Sequence, residues 1–262
     1  NPSRGLGDVY KRQGPERLAN VVRAVAIAAG ILDSGGSAIE AAVEACVVLE
    51  DDPVFNAGTG SVFRTDGSVH LDASIQTSEG KMGFVIGMQD TPNPIRVAAD
   101  LLDEEINGLS GDGARLWADS KGFERSNVQG RPPFEGATDT VGVVARDKSG
   151  LIVCATSTGG TSNRPPGRVG DVPLPGCGFW VQDGVGVGAT GIGEAITRGM
   201  ISLRVADRIL DGNGLEESMM WALDECLEED AEVGIIALGT EGTGHGVSNS
   251  TNMPWASWIA RK

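Results

Sequence analysis

The sequence predicts an α+β fold in which two antiparallel sheets stack between helix layers, built as a single domain. Three observations predict it. The 262 residues fall within the range that one sizeable core can organise. Periodicity runs helix, helix, then strands, and after an aperiodic stretch it runs strands, helices and strands again. Strands that come in consecutive runs, instead of alternating singly with helices, pair antiparallel and exclude a βαβ wheel.

The elements follow in chain order. Residues 1–13 have no apolar period and read as a tail; no apolar h-region of a cleavable signal peptide occurs there. Residues 15–32 are rich in Ala and Val, with Pro15 suited to a first helical turn and Gly35-Gly36 as the stop. Ser37-x-x-Glu40 is a capping-box signature that opens a second helix to about Glu50. Both helices are nearly apolar all round, which predicts that both are sandwiched. The period then changes to two. Residues 61–64, 69–75 and 82–88 read as a three-stranded meander with turns at Asp66-Gly67 and Glu79-Gly80. Residues 92–107 and 112–121 read as helices, and the Gly/Pro/Asn stretch 122–138 as an exposed linker.

Beyond the linker, residues 140–147 and 151–156 form an apolar hairpin around Lys148-Ser149-Gly150. Residues 179–182 and 185–189 form another around Asp183-Gly184. Residues 194–210 and 215–227 read as helices separated by Asp211-Gly212-Asn213-Gly214, and 233–238 with 246–250 as closing strands.

Composition narrows the function. Lys and Arg number 21 against 36 Asp and Glu, a net charge of −15, so phosphate is repelled and nucleic acid is excluded as a partner. No apolar run is long enough to span a membrane. Four scattered cysteines without a Cys-x-x-Cys, and two histidines, His70 and His245, give no zinc pattern and little material for a Ser-His-Asp device. The thiols read as reduced, in a cytoplasmic protein, and both histidines as structural.

Chemistry concentrates after the linker. Asp139-Thr140-Val141-Gly142 sets a hydroxyl where a buried strand begins, and Thr156-Ser157-Thr158-Gly159-Gly160 ends the next strand, so a hairpin returns that end beside Thr140. In Gly167-Arg168-Val169-Gly170-Asp171 a guanidinium near a carboxylate can recognise a zwitterion, Arg168 taking an α-carboxylate and Asp171 an α-ammonium; a plain loop salt bridge is the alternative. Residues 186–191 match G-x-G-x-x-G, but the following helix leads to another helix and not to a second parallel strand, which disfavours a dinucleotide site. A glycine-rich strand end can instead aim N–H groups at a developing anion.

Taken together these segments resemble the isoaspartyl peptidase/L-asparaginase family of N-terminal-nucleophile hydrolases, which includes the glycosylasparaginases. The resemblance rests on Asp139-Thr140-Val141-Gly142, on Thr156 to Gly160, on Gly167 to Asp171 and on Thr190-Gly191-Ile192-Gly193-Glu194. Upstream, Phe55-Asn56-Ala57-Gly58-Thr59-Gly60 and Leu71-Asp72-Ala73 also resemble that family. It implies an αββα four-layer sandwich and self-cleavage between Asp139 and Thr140, giving an α subunit of residues 14–139 and a β subunit of 140–262. Thr140 matches the nucleophile and Thr158 a residue bonded to it; Thr190 and Gly191 match the oxyanion hole. Arg168, Asp171 and Gly193 match substrate-binding positions, and Asn56 lies where the family places an asparagine near the site.

The resemblance also implies a homodimer of αβ units, a small amino-acid or dipeptide substrate and no organic cofactor. It further implies a structural sodium ion in the loop from Leu49 to Phe55. Two departures stand out. The His-Gly-Gly-Ala-Gly motif that usually opens the family is missing, so two forms of the fold stay open, one complete and one lacking its first core strand with a sheet edge exposed. Asp139 itself is closer to glycosylasparaginases.

The implied chemistry is physically coherent. Cleavage before Thr140 creates an α-amino group on the nucleophile's own residue, and its reference pKa of about 7.7–8.0 suits a general base near neutrality. The expected reaction is hydrolysis of β-aspartyl amides, either isoaspartyl dipeptides or L-asparagine, releasing L-aspartate. Cleavage of GlcNAc-Asn is the alternative within the enzyme class, and an inactive or nucleotide-binding scaffold the alternative outside it.

Overall fold

The computed structural model describes residues 15–132, 140–239, 242, 244–250 and 253–260. The expected tail of residues 1–13 and the cleavage residue Asp139 lie outside the described residues. Seven α-helices and nine strands are found among those described: α1 Pro15–Asp33, α2 Ala38–Glu50, β1 Leu71–Thr77, β2 Met82–Met88, α3 Pro94–Asp100, β3 Gly108–Ser110 and α4 Gly111–Ser120 come first. They are followed by β4 Val141–Arg146, β5 Ile152–Thr158, β6 Phe179–Gln182, β7 Val185–Gly191, α5 Gly193–Gly199, α6 Ile201–Leu210, α7 Leu215–Glu225, β8 Val233–Leu238 and β9 Gly244–Ser248.

The strands form two sheets, β3-β2-β1-β5-β4 and β6-β7-β8-β9. Helices α2, α3 and α4 contact the first sheet, α6 and α7 the second, and β1, β4 and β5 pack across onto β6, β7 and β8. Strands β1 and β5 are buried along their whole length because both faces are covered. Their alternation sorts the side chains: Ala73, Ile75, Val153 and Ala155 join the helix-side core, while Ile152 and Cys154 meet Phe179 and Val181 between the sheets. Polar groups on that inner face are bonded across it. Ser74 Oγ lies 2.6 Å from Thr156 Oγ1 and donates to the Val172 carbonyl. The Gln76 amide exchanges two bonds with the Val181 backbone.

Glycine sets how closely the sheets approach. A Cβ at Gly186 would stand 2.8 Å from both Ile152 Cγ2 and Val144 Cγ1, and one at Gly188 3.4 Å from Cys154 Sγ. The G-x-G-x-x-G segment is therefore strand β7 itself, its first glycines serving sheet packing and not a phosphate loop.

Several expectations are corrected. Helix α1 is one-sided, not sandwiched: Leu18 and Ala24 are buried while Val22 is 46% exposed, because small apolar residues make a helix look uniform without requiring cover on both sides. The expected strand at 61–64 is only a bridge between Val62 and Arg131, so the meander reduces to the β1–β2 hairpin. The short β3, absent from the expectation, pairs parallel to β2. The 92–107 helix stops as α3 and continues as a 3-10 turn, Leu101–Asp103. Met200, in the left-handed region at φ 45°, breaks the 194–210 helix into α5 and α6. The N-cap half of the capping box at Ser37 forms: its Oγ accepts from the Glu40 N–H at 3.1 Å. Strand β4 stands at the end of its sheet order, paired only with β5 among the described strands.

Gly186→Ala should destabilise the protein by about 1–3 kcal/mol, since the new methyl meets two β-branched side chains that have little room to rotate away. Chemical denaturation measures this, and an unchanged midpoint would show that the sheets can separate without cost.

Candidate active site

Register brings the hydroxyls together. Val141 pairs with Ser157, which sets Thr140 opposite Thr158, and Thr140 Oγ1 donates to Thr158 Oγ1 at 3.2 Å. Thr158 Oγ1 in turn accepts from the Gly160 N–H at 3.0 Å and lies 3.4 Å from the Asn56 carbonyl. Asn56, 1% exposed, ties this corner: its Nδ2 donates to the Gly160 carbonyl at 2.7 Å, and its Oδ1 accepts from the Val62 N–H at 3.1 Å. Asn56 thus lies beside the two threonines.

From the second sheet, β7 supplies Thr190 and Gly191 at its end. Residues 186, 188 and 190 share one strand face, and the first two face the opposing sheet, so Thr190 also points into the space between the sheets. Thr140, Thr190 and Gly191 line one cavity of about 410 Å³ that runs on between α1, β4, β8 and the 253–260 segment. Gly191 has φ 134°, and a Cβ there would stand 2.2 Å from the Glu232 carbonyl oxygen, so glycine is required at this strand end.

Arg168, Asp171 and Gly193 form a second group. A Cβ on Gly193 would lie 2.7 Å from Asp171 Oδ1 and 2.8 Å from Arg168 Nη2. The salt-bridge alternative is corrected in detail: Arg168 pairs with Glu194, Nε to Oε1 at 3.1 Å and Nη2 to Oε2 at 2.9 Å, and not with Asp171. That bond holds the Glu194 carboxyl below the usual carboxylate range. Asp171 Oδ2 is buried without a hydrogen-bond partner, an arrangement that costs about 1–3 kcal/mol and leaves an acceptor ready for a ligand. Burial pushes Asp171 up to about 7 against the opposing pull of Arg168.

Asp72 joins the two groups. It pairs in register with Thr158 and sits at a bulge where β2 has one residue too many, and its Oδ1 accepts from the Gly87 N–H at 2.7 Å. Burial raises Asp72 to about 6, with Arg64 and Arg168 pulling it down. Sequence reading missed the contacts of Glu194 with Arg168, of Asp72 with the Gly87 N–H and of Arg64 with Gly160, which no local spacing signals.

The other candidate chemistries recede. All four cysteines are free, and burial pushes Cys154 up to about 12 and raises the other three, so none is a ready nucleophile. His245 packs against the Trp255 ring at 5.0 Å, and burial lowers the pKa of His70. No cluster of three metal-ligating side chains occurs among the described residues. No helix among them is long and apolar enough to cross a membrane.

Asp171 has a measurable consequence for stability. An ordinary aspartate ionises near 3.8, whereas the folded protein holds the Asp171 proton up to about 7. Folding is therefore penalised as pH rises from about 4, and the penalty is complete above about 7. Asp171→Asn should unfold at a higher temperature than the parent at about pH 8, with the gain shrinking to nothing below about pH 4. A gain that persists in acid would place the effect on packing instead of charge.

Comparison with known proteins identifies the family. The family described as Asparaginase is matched by residues 5–131 and 126–262. The isoaspartyl peptidase/L-asparaginase of Bos taurus is 34% identical over 277 residues, covering 97% of this chain and 90% of the relative. That of Synechocystis is 33% identical over 238 residues, covering 80% and 72%. The plant-type L-asparaginase of Pyrobaculum calidifontis is 40% identical over 199 residues, 66% of each chain. With paired threonines at the head of two facing sheets and a match of this extent, the chain belongs to the asparaginase family of N-terminal-nucleophile hydrolases.

Proposed function

We propose that this protein is an autoprocessing threonine hydrolase that cleaves β-aspartyl amides, isoaspartyl dipeptides and L-asparagine, and releases L-aspartate. The observation that carries it is the Thr140 Oγ1 to Thr158 Oγ1 hydrogen bond of 3.2 Å, and relatives named isoaspartyl peptidase/L-asparaginase and plant-type L-asparaginase support the same substrates. Hydrolysis of the Asp139–Thr140 bond frees the Thr140 α-amine, which takes the Oγ proton as Oγ attacks the side-chain amide carbon. Thr158 orients that oxygen. The tetrahedral anion is held by the Thr190 hydroxyl and the Gly191 N–H, which need no reorganisation as charge develops. The leaving amine departs with the proton held by the α-amine, and water then hydrolyses the β-aspartyl ester.

Arg168 and Asp171 hold the substrate's α-carboxylate and α-ammonium, with Gly193 leaving room for both, and Asn56 fixes the Thr158 corner. The two sheets and their flanking helices support the αββα four-layer reading, with residues 14–262 as one domain of α and β subunits. The family also suggests a homodimer of αβ units. A sodium ion in the 49–55 loop draws support from main-chain oxygens: those of Pro53 and Phe55 crowd Gly60, and that of Glu50 crowds Gly58. The free thiols support a reducing, cytoplasmic setting.

Thr140→Ala tests the proposal. The parent should mature into two chains whose masses sum to the full polypeptide plus one water, and the variant should stay whole and lose at least about a thousandfold in aspartate release. A variant that still splits and turns over would refute the mechanism. β-Asp-Leu should be cleaved faster than GlcNAc-Asn, and the reverse order would move the protein to the glycosylasparaginase side. Arg168→Ala should raise KM for L-asparagine by roughly ten- to a hundredfold, the worth of a lost charged hydrogen bond; an unchanged KM would remove Arg168 from the substrate site.

A further inference from the structure

Beside the site lies a buried charge to which no role has yet fallen. Arg64 is 3% exposed, and its Nε, Nη1 and Nη2 are all shielded from solvent without a hydrogen-bond partner. Its guanidinium lies against Gly160, where a Cβ would stand 2.7 Å from both Nη1 and Nη2. The Gly160 N–H is the group bonded to Thr158 Oγ1, next to Thr140. Arg64 and Arg168 are near enough to repel one another, and Asp72 feels both.

The two guanidinium groups differ in what is left for a ligand. Glu194 occupies the Nε–Nη2 edge of Arg168, the planar edge that otherwise grips a carboxylate by two parallel bonds. Arg64 has every edge unused. Asp72 opposes its charge without bonding it: Asp72 Oδ1 is committed to the Gly87 N–H, and its Oδ2 is also without a hydrogen-bond partner. An unpaired cation kept dry next to a half-occupied one is the arrangement expected of an anion site awaiting its ligand.

We propose that Arg64 is a substrate-binding residue, which with Arg168 clamps the α-carboxylate of the β-aspartyl substrate between two guanidinium groups and supplies the fork that Glu194 withholds from Arg168. This rests on the β-aspartyl hydrolase reading and adds strict selection for a free α-carboxylate. A neutral group in that place leaves two buried cations facing each other.

The test compares L-asparagine with L-aspartic diamide, which has the same scissile β-amide but an α-carboxamide. The parent should favour L-asparagine strongly, and in Arg64→Gln that preference in kcat/KM should fall at least tenfold, with Arg64→Lys recovering part of it because the charge returns without the fork. Equal losses on both substrates would reduce Arg64 to a structural residue and overturn the proposal. If the variants fail to fold, crystals of the parent with L-aspartate decide: Arg64 nitrogens should lie about 3 Å from α-carboxylate oxygens, and an Arg64 closed onto Asp72 would overturn it. A matured parent that hydrolyses neither compound removes the hydrolase reading itself, and this inference with it.

Discussion

The antiparallel pairing of β4 with β5 is the constraint on which the rest depends. A strand side chain has only two directions available, so once Val141 pairs with Ser157, Thr140 and Thr158 point into the same inter-sheet space. A slip of β4 by one residue would turn the Thr140 hydroxyl away from Thr158 and into the helix-side core, where Val141 now packs. The same alternation on β7 turns Gly186 and Gly188 toward the first sheet and carries Thr190 to the same end. Packing and chemistry are thus two uses of one register, and the glycines that let the sheets close are also what bring Thr190 within range.

The charged part of the site stands on a different balance. Asp72 and Asp171 are held in an environment that favours their neutral forms, at about 6 and about 7, while Arg64 and Arg168 oppose that tendency. Glu50, wholly buried and pushed up to about 8 by burial, shows the same strain on the helix side of the first sheet. A fold selected for stability alone would replace such groups by apolar ones. Their presence fits a pocket that recognises a zwitterion, because a ligand with one carboxylate and one ammonium can satisfy acceptors and donors that the protein leaves unpaired.

The cavity beside Thr140 has another origin. Strand β4 is the last of its sheet among the described strands, and α1 packs on α2 with one face only, so apolar surface from both lines the same space together with the 253–260 segment. Reaction space and unfilled core space therefore run into each other at the start of β4. Thr140, Thr190 and Gly191 line that space, whereas Arg64, Arg168 and Asp171 are not among its lining residues and lie against Gly160 and Gly193.

Much of this was legible in order and spacing alone. The capping box at Ser37, the 82–88 strand, the hairpin around Lys148 to Gly150 and the return of Thr158 beside Thr140 are local matters of period and turn chemistry, which act over a few residues. The motifs also singled out Arg168, Asp171, Thr190 and Gly191 as candidates. What the sequence could not contain was decided by tertiary contact. Glu194 takes the Arg168 edge, Arg64 lies bare against Gly160, Met200 breaks a helix so that α6 can reach the second sheet, and α1 is left half-exposed. Each depends on which surfaces meet across tens of residues, and period and propensity, being properties of neighbours along the chain, are blind to that.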